Sequence, residues 1–218
     1  MTLGQKTYVP DDDFEQSLIN LGLDTVLNDS VLTSSIDTVS SLHLGFFINN
    51  IYELTGIEDF SALKDLTIWH QFLITLDLSQ NTLLESLNCT GNQLTYLDLS
   101  NNSALISLVC PENQLTALDI RNNSNILSLN TNNNLNLSCI NVDDSTFSAN
   151  NWTNNLDPQH YFSNNCSGTT ALDEAPITKK LIKIIDIFGR KTMPKLNSPL
   201  FYIYEDATVE KKIIVGYY

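Results

Sequence analysis

The sequence predicts a mainly β protein: a solenoid of stacked parallel strands, with a short capping helix before it and a small β module after it. Three observations lead there. Residues 73–93, 94–114 and 115–135 superimpose without a gap at a period of 21 residues, carrying Leu76 onto Leu97 and Leu118, and Leu87 onto Leu108 and Leu129; a repeat of that length marks a coil-by-coil architecture. Alternation such as Leu97-Asp98-Leu99-Ser100 has the period of two that a half-buried strand requires. One coil cannot cover its own leucines, but neighbours about 4.8 Å apart cover one another, so stability grows with coil number.

Residues 1–35 read as an N-terminal cap. In VPDDDFEQSLINLGL at 9–23, Asp12 or Asp13 can cap the first helical amides, Glu15 or Gln16 stands three further on, and Gly22 can end the helix. Phe14, Leu18 and Leu21 share a face that can cover the first coil. The following segment 24–29 fails as a calcium loop, because Val26 and Asp29 stand where an oxygen ligand and a glycine are needed.

The array itself spans residues 36–140, roughly five coils of about 21 residues. In its diverged lead-in, Leu63, Leu66 and Ile68 match Leu84, Leu87 and Cys89. Asn81, Asn102 and Asn123 form one column and Asn92, Asn113 and Asn134 another, with amides suited to bond the backbone of tight turns. Cys89 and Cys110 stand one period apart at inward positions and are expected to be buried thiols rather than a strained bridge.

Each copy holds L-x-x-L-x-L-x-x-N twice, as Leu94, Leu97, Leu99, Asn102 and again as Leu105, Leu108, Cys110, Asn113. This pattern resembles the leucine-rich repeat family, in its bacterial variety with nested half-repeats, over about residues 39–140. The resemblance implies a short strand at each L-x-L, inward leucines and asparagines that turn the chain. TYVPDDDFEQSLINLGLD resembles the mature start of secreted members, and residues 141–166 resemble their C-terminal cap. That likeness implies a Cys139–Cys166 disulfide, with Trp152, Phe147, Tyr161 and Phe162 covering the last leucines and Cys139 taking the slot of Leu118 one coil on. Four reduced thiols in a cytosolic chain is the alternative.

Residues 167–178 read as a linker, and residues 179–218 as a β tail of different charge. Lys179, Lys180, Lys183, Arg190, Lys191, Lys195, Lys211 and Lys212 face only Asp186, Glu205, Asp206 and Glu210 there, a net of +4 that leaves −18 elsewhere out of a total of −14. Strands are expected at 181–187 and as a hairpin over 199–215 about Glu205-Asp206-Ala207. Asp186, Gly189, Arg190 and Lys211-Lys212-Ile213-Ile214-Val215 resemble the C-terminal sorting domains of the type IX secretion pathway, although Pro199-Leu200 replaces the usual glycine of the middle strand. That resemblance implies the secretion machinery as a partner; the alternative is a small β module that docks or pairs with another chain.

Composition narrows function. A chain of 218 residues with pI near 4.3 lacks the basic footprint of nucleic-acid binding. No apolar run approaches the ~18 residues of a transmembrane helix, and Met1-Thr2-Leu3-Gly4-Gln5 lacks the basic start and apolar core of an intact signal peptide. His43, His70 and His160 fall in no catalytic or metal-ligating motif, no phosphate-binding glycine loop is present, and no cofactor is expected. The expected role is therefore a secreted or surface-displayed protein that binds a protein or glycan without catalysis; a ligand-free spacer and an enzyme accessory or inhibitor module are the alternatives. Candidate binding residues are Asp77, Asp98 and Asp119, which stack in one outward column, with Tyr96 and Arg121 beside them. The column reads either as a site for a cation or basic partner or as a solvated row that blocks aggregation.

Overall fold

The computed structural model describes residues 4–45, 50–152, 155–166, 181–185, 187, 190, 199–204 and 209–213. The chain divides into two compact units at Gly168/Thr169.

The first unit opens with strand β1 (Lys6–Tyr8), helix α1 (Asp12–Asn20), strand β2 (Ser30–Leu32) and helix α2 (Thr33–Ile36), β1 and β2 pairing antiparallel. The cap of α1 is Asp11, not Asp12 or Asp13: its Oδ1 accepts the N–H groups of Asp13 and Phe14 while Oδ2 accepts those of Tyr52 and Glu53. Asp11 wins because one carboxylate serves both the helix end and the first coil. Glu15 does not close a capping box either. Its buried carboxylate accepts the N–H groups of Asn28, Asp29 and Ser30 and pins the following loop. Gly22 follows the C-cap Leu21 at φ 75°, the left-handed region that glycine enters without steric cost. Phe14 and Leu18 are fully buried, and the Phe14 ring lies 6.5 Å from that of Phe60, so the helix covers the first coil.

Five parallel strands follow in register: β3 (Ser41–His43), β4 (Asp65–Thr67), β5 (Ser86–Asn88), β6 (Ser107–Val109) and β8 (Ser128–Asn130), aligning Leu42, Leu66, Leu87, Leu108 and Leu129. A second parallel sheet joins β7 (Leu118–Asp119), β9 (Cys139–Asn141) and β10 (Tyr161–Ser163). Helix α3 (Ser145–Asn151), capped by Asp144, lies between β9 and β10.

A strand does not form at each L-x-L. At 76–78 and 97–99 the leucines are buried, yet the backbone is squeezed between a bend at Ile74 or Thr95 and a turn starting at Ser79 or Ser100. Alternating burial persists there without a two-sided ladder. Cys139 also sits elsewhere than expected: Ile140 pairs with Leu118, so Cys139 stands one residue earlier, on the outward side.

Both asparagine columns are buried and stitch the coils together. Asn92, Asn113 and Asn134 use both ends of the amide. Each Oδ1 accepts an N–H of the preceding coil, from Leu73, Leu94 and Leu115, while each Nδ2 donates to carbonyls of its own and the preceding coil. Asn81, Asn102 and Asn123 only donate, each to two carbonyls, and their Oδ1 atoms are buried without a partner. Directly before the first column runs a stack of left-handed residues: His70, Gly91, Glu112 and Asn133, at φ 49°, 69°, 56° and 59°. Gly91 is required for a second reason. A Cβ there would meet the His70 ring at 2.2 Å.

At the far end, the Asp157 carboxylate accepts the N–H groups of Asn133 and Asn134, ending the asparagine ladder. The Cys139–Cys166 disulfide closes this cap. Trp152, Leu156 and Phe162 pack on the core, whereas Phe147 and Tyr161 are 51% and 43% exposed and contribute less cover than the sequence suggests. Cys89 and Cys110 are free and fully buried. Burial pushes the Cys89 thiol up to about 12 and the Cys110 thiol well up too, the latter helped by Cys89.

In the second unit β11 (Leu181–Ile185), β12 (Pro199–Tyr204) and β13 (Val209–Ile213) form an antiparallel sheet in that order. The expected hairpin centre at Glu205-Asp206-Ala207, the expected linker 167–178 and Asp186, Gly189, Ile214 and Val215 of the sorting-like pattern lie outside the described residues.

Candidate functional site

The half-repeats that carry Leu76, Leu97 and Leu118 build the candidate site. After each leucine comes an aspartate whose Oδ1 accepts the N–H two residues on: Asp77 from Ser79 at 3.0 Å, Asp98 from Ser100 at 2.9 Å and Asp119 from Arg121 at 3.1 Å. This local turn explains why aspartate recurs here, since its short side chain stands in for a backbone acceptor. The second oxygen and the negative charge remain on the surface.

Successive coils offer different surroundings to that charge. The Arg121 guanidinium bonds and ion-pairs Asp119, holding its carboxyl below the usual range. Asp98 makes no ion pair among the described residues. Tyr96, 43% exposed, lies beside it. Partial burial, and then the charges of Asp98 and Asp119, raise the Tyr96 phenol above its ordinary value. Tyr96, Leu97, Asp98, Ser100, Asp119 and Asn122 line one shallow hollow that bridges two coils. The structure thus gathers Tyr96, Asp98 and Asp119 around one depression, places Arg121 on Asp119, and leaves Asp77 one coil earlier in the column, outside the lining.

The sheet register extends this face. Asp119 pairs with Asn141, and Asn141 with Ser163; Cys139 pairs with Tyr161, and the alignment of Leu118 with Ile140 sets Ala117 beside Cys139. The 21-residue period and the bonds from Gln114 N–H to Leu94 and from Thr116 N–H to Thr95 set Tyr96 beside Ala117, so the outward column beside the aspartates reads Tyr96, Ala117, Cys139, Tyr161, with Cys139 tied to Cys166. Sequence reading assigned Tyr161 to the cap and missed its place here, because the repeat is interrupted between Asn141 and Tyr161 and the period no longer counts the chain into register.

Elsewhere Glu15 and His160 are in structural use. Oxygens of Asp12, Glu15 and Asp29 lie within 4.8 Å of one another, but Glu15 is taken up by backbone amides. His160 is buried in the C-terminal cap against Thr131 and Asp157. No helix among the described residues is long and apolar enough to cross a membrane.

No protein-family model matches the chain. No curated protein matches it either. Solved structures do, among them three from Listeria monocytogenes. The functional domain of InlJ, described as including a cysteine ladder, is 26% identical with a TM-score of 0.48, covering 64% of this chain and 38% of its own. An internalin, InlF, is 16% identical with a TM-score of 0.50, covering 71% of this chain and 56% of its own. Internalin C2 is 16% identical with a TM-score of 0.48, covering 75% and 92%. The chain thus spans well under two thirds of the InlJ and InlF structures. At such identity the likeness to InlF concerns the fold: this chain is a leucine-rich repeat solenoid.

Proposed function

We propose that this protein is an exported or surface-displayed binding module that recognises a protein or glycan and performs no catalysis. The observation that carries the reading is the face just described: exposed tyrosines and polar groups held in register on a scaffold whose own polar groups are stitched from coil to coil. Repeat solenoids present extended surfaces of this kind. The Cys139–Cys166 disulfide supports export, since such bonds persist in oxidising compartments. The β tail, with its resemblance to type IX sorting domains, is the segment proposed to engage a secretion machinery.

Peptide mapping of protein from native cells, fraction by fraction and without reductant, tests this reading. Recovery outside the cell, with Cys139 linked to Cys166 and residues 179–218 removed, is the expected result. Full-length protein in the cytosol with all four thiols reduced would overturn it.

A further inference from the structure

We infer that the strip from Tyr96 to Tyr161 docks an extended basic peptide of another protein, with lysine or arginine at alternate positions. The inference rests on the binding reading above and names its partner class. Coils repeat about every 4.8 Å, so the two tyrosines, three coils apart, are about 14 Å from one another. Same-side side chains of an extended peptide recur about every 6.6–6.8 Å, so the first, third and fifth residues span about 13–14 Å. A five-residue segment therefore sets its outer cations beside the two tyrosines, whose rings attract them, and its middle one midway between Ala117 and the Cys139–Cys166 disulfide.

Charge selects the partner's sign. Beside the ring column run Asp77, Asp98 and Asp119, continuing as the neutral Asn141 and Ser163. Asp119 is ion-paired to Arg121, whereas Asp98 makes no ion pair among the described residues. Asp98, which lines the hollow together with Tyr96, supplies the carboxylate for an incoming cation. The portion of the chain outside the last 40 residues carries −18, which steers basic partners in and acidic ones away.

The test uses the full chain and a fluorescein-labelled Lys-Thr-Lys-Thr-Lys peptide, read by fluorescence anisotropy at low and high salt. Expected is saturable binding that high salt weakens and that Asp98→Asn and Tyr96→Ala each weaken about 2- to 5-fold, the scale of one exposed ion pair or cation–π contact. Glu-Thr-Glu-Thr-Glu should not bind. Glu85→Gln, which removes an acidic group ion-paired to Lys64 away from the strip, should leave binding unchanged. Three outcomes would overturn the inference. An equal loss in Glu85→Gln would reduce the effect to overall charge. Salt-sensitive dimerisation abolished by Asp98→Asn in sedimentation would assign the strip to the basic tail of a second copy. Binding of a neutral oligosaccharide, lost in Tyr96→Ala while the lysine peptide fails to bind, would refute the charge assignment yet leave the general binding reading intact.

Discussion

Replacing Asn113 and Asn102 with alanine, one at a time, separates the two asparagine columns energetically. Asn113 donates to the carbonyls of Cys89, Cys110 and Pro111. Each of those carbonyls keeps another donor, from Asn92, Asn134 and the Gly91 N–H respectively. Its Oδ1, however, is the partner of the buried Leu94 N–H at 3.1 Å. Asn113→Ala therefore orphans one buried donor, at about 1–3 kcal/mol, and thins three carbonyls at about 0.5 kcal/mol each, for about 3 kcal/mol in all. Asn102 donates to the carbonyls of Leu78 and Asn81, which also accept the Asn81 N–H and the Leu84 N–H respectively. Its own Oδ1 is buried and unpaired, so alanine also removes a desolvated acceptor. Asn102→Ala should cost about 1 kcal/mol or less on the same scale. Urea unfolding followed by circular dichroism, with unchanged m-values, reads the difference. Equal costs, or a larger cost at Asn102, would refute the claim that satisfaction of the Leu94 amide distinguishes the columns.

Further outcomes follow from the same geometry. Gly91→Ala should destabilise by at least about 1 kcal/mol, since a left-handed residue gains a Cβ that collides with His70, measured by the shift in urea midpoint. Cys89 and Cys110 should resist a thiol reagent in the native state and label promptly in denaturant; rapid native labelling would contradict their burial. Replacing both Cys139 and Cys166 with serine should lower stability by about 2–4 kcal/mol, seen as a lower thermal midpoint that reductant no longer shifts. The lowered Asp119 carboxyl contributes stability above its unfolded value, and that contribution fades as pH falls through the folded one. Because the pair is half exposed, Asp119→Asn should flatten the acid limb of the stability curve by well under about 1 kcal/mol.

The period was the legible part of the fold. Counting by 21 residues aligned Leu66, Leu87 and Leu108, and the strands pair in that register. One further step back from Asn92 reaches Gln71, which starts the ladder by accepting the Ile51 N–H, so the signal for it was present. What periodicity did not resolve was competition between side chain and backbone for the same amide. At 76–78 and 97–99 leucine alternation suggests a strand that does not form, although Asp119, with the same turn bond as Asp77 and Asp98, lies in β7. Asp11 outcompetes its two acidic neighbours as cap because of a contact 41 residues away, with Tyr52. At the candidate site, the aspartate column with Tyr96 and Arg121 was visible as spacing, while Tyr161 entered the same face only through pairing across an interrupted repeat.

The Asn92, Asn113, Asn134 ladder makes length a free variable for this architecture. Each asparagine answers to the coil before it through the same atoms, so every internal coil offers its two neighbours identical sockets. Excising residues 94–114 would leave Asn92 on the Leu73 amide and Asn134 on the Leu115 amide, and would bring the Asn134 Nδ2 to the Cys89 carbonyl in place of that of Asn113, with neither terminal cap rewritten. Duplication and loss of whole units can thus lengthen or shorten the protein without a folding penalty at the joint, while any insertion that is not a full turn must leave a buried amide unanswered.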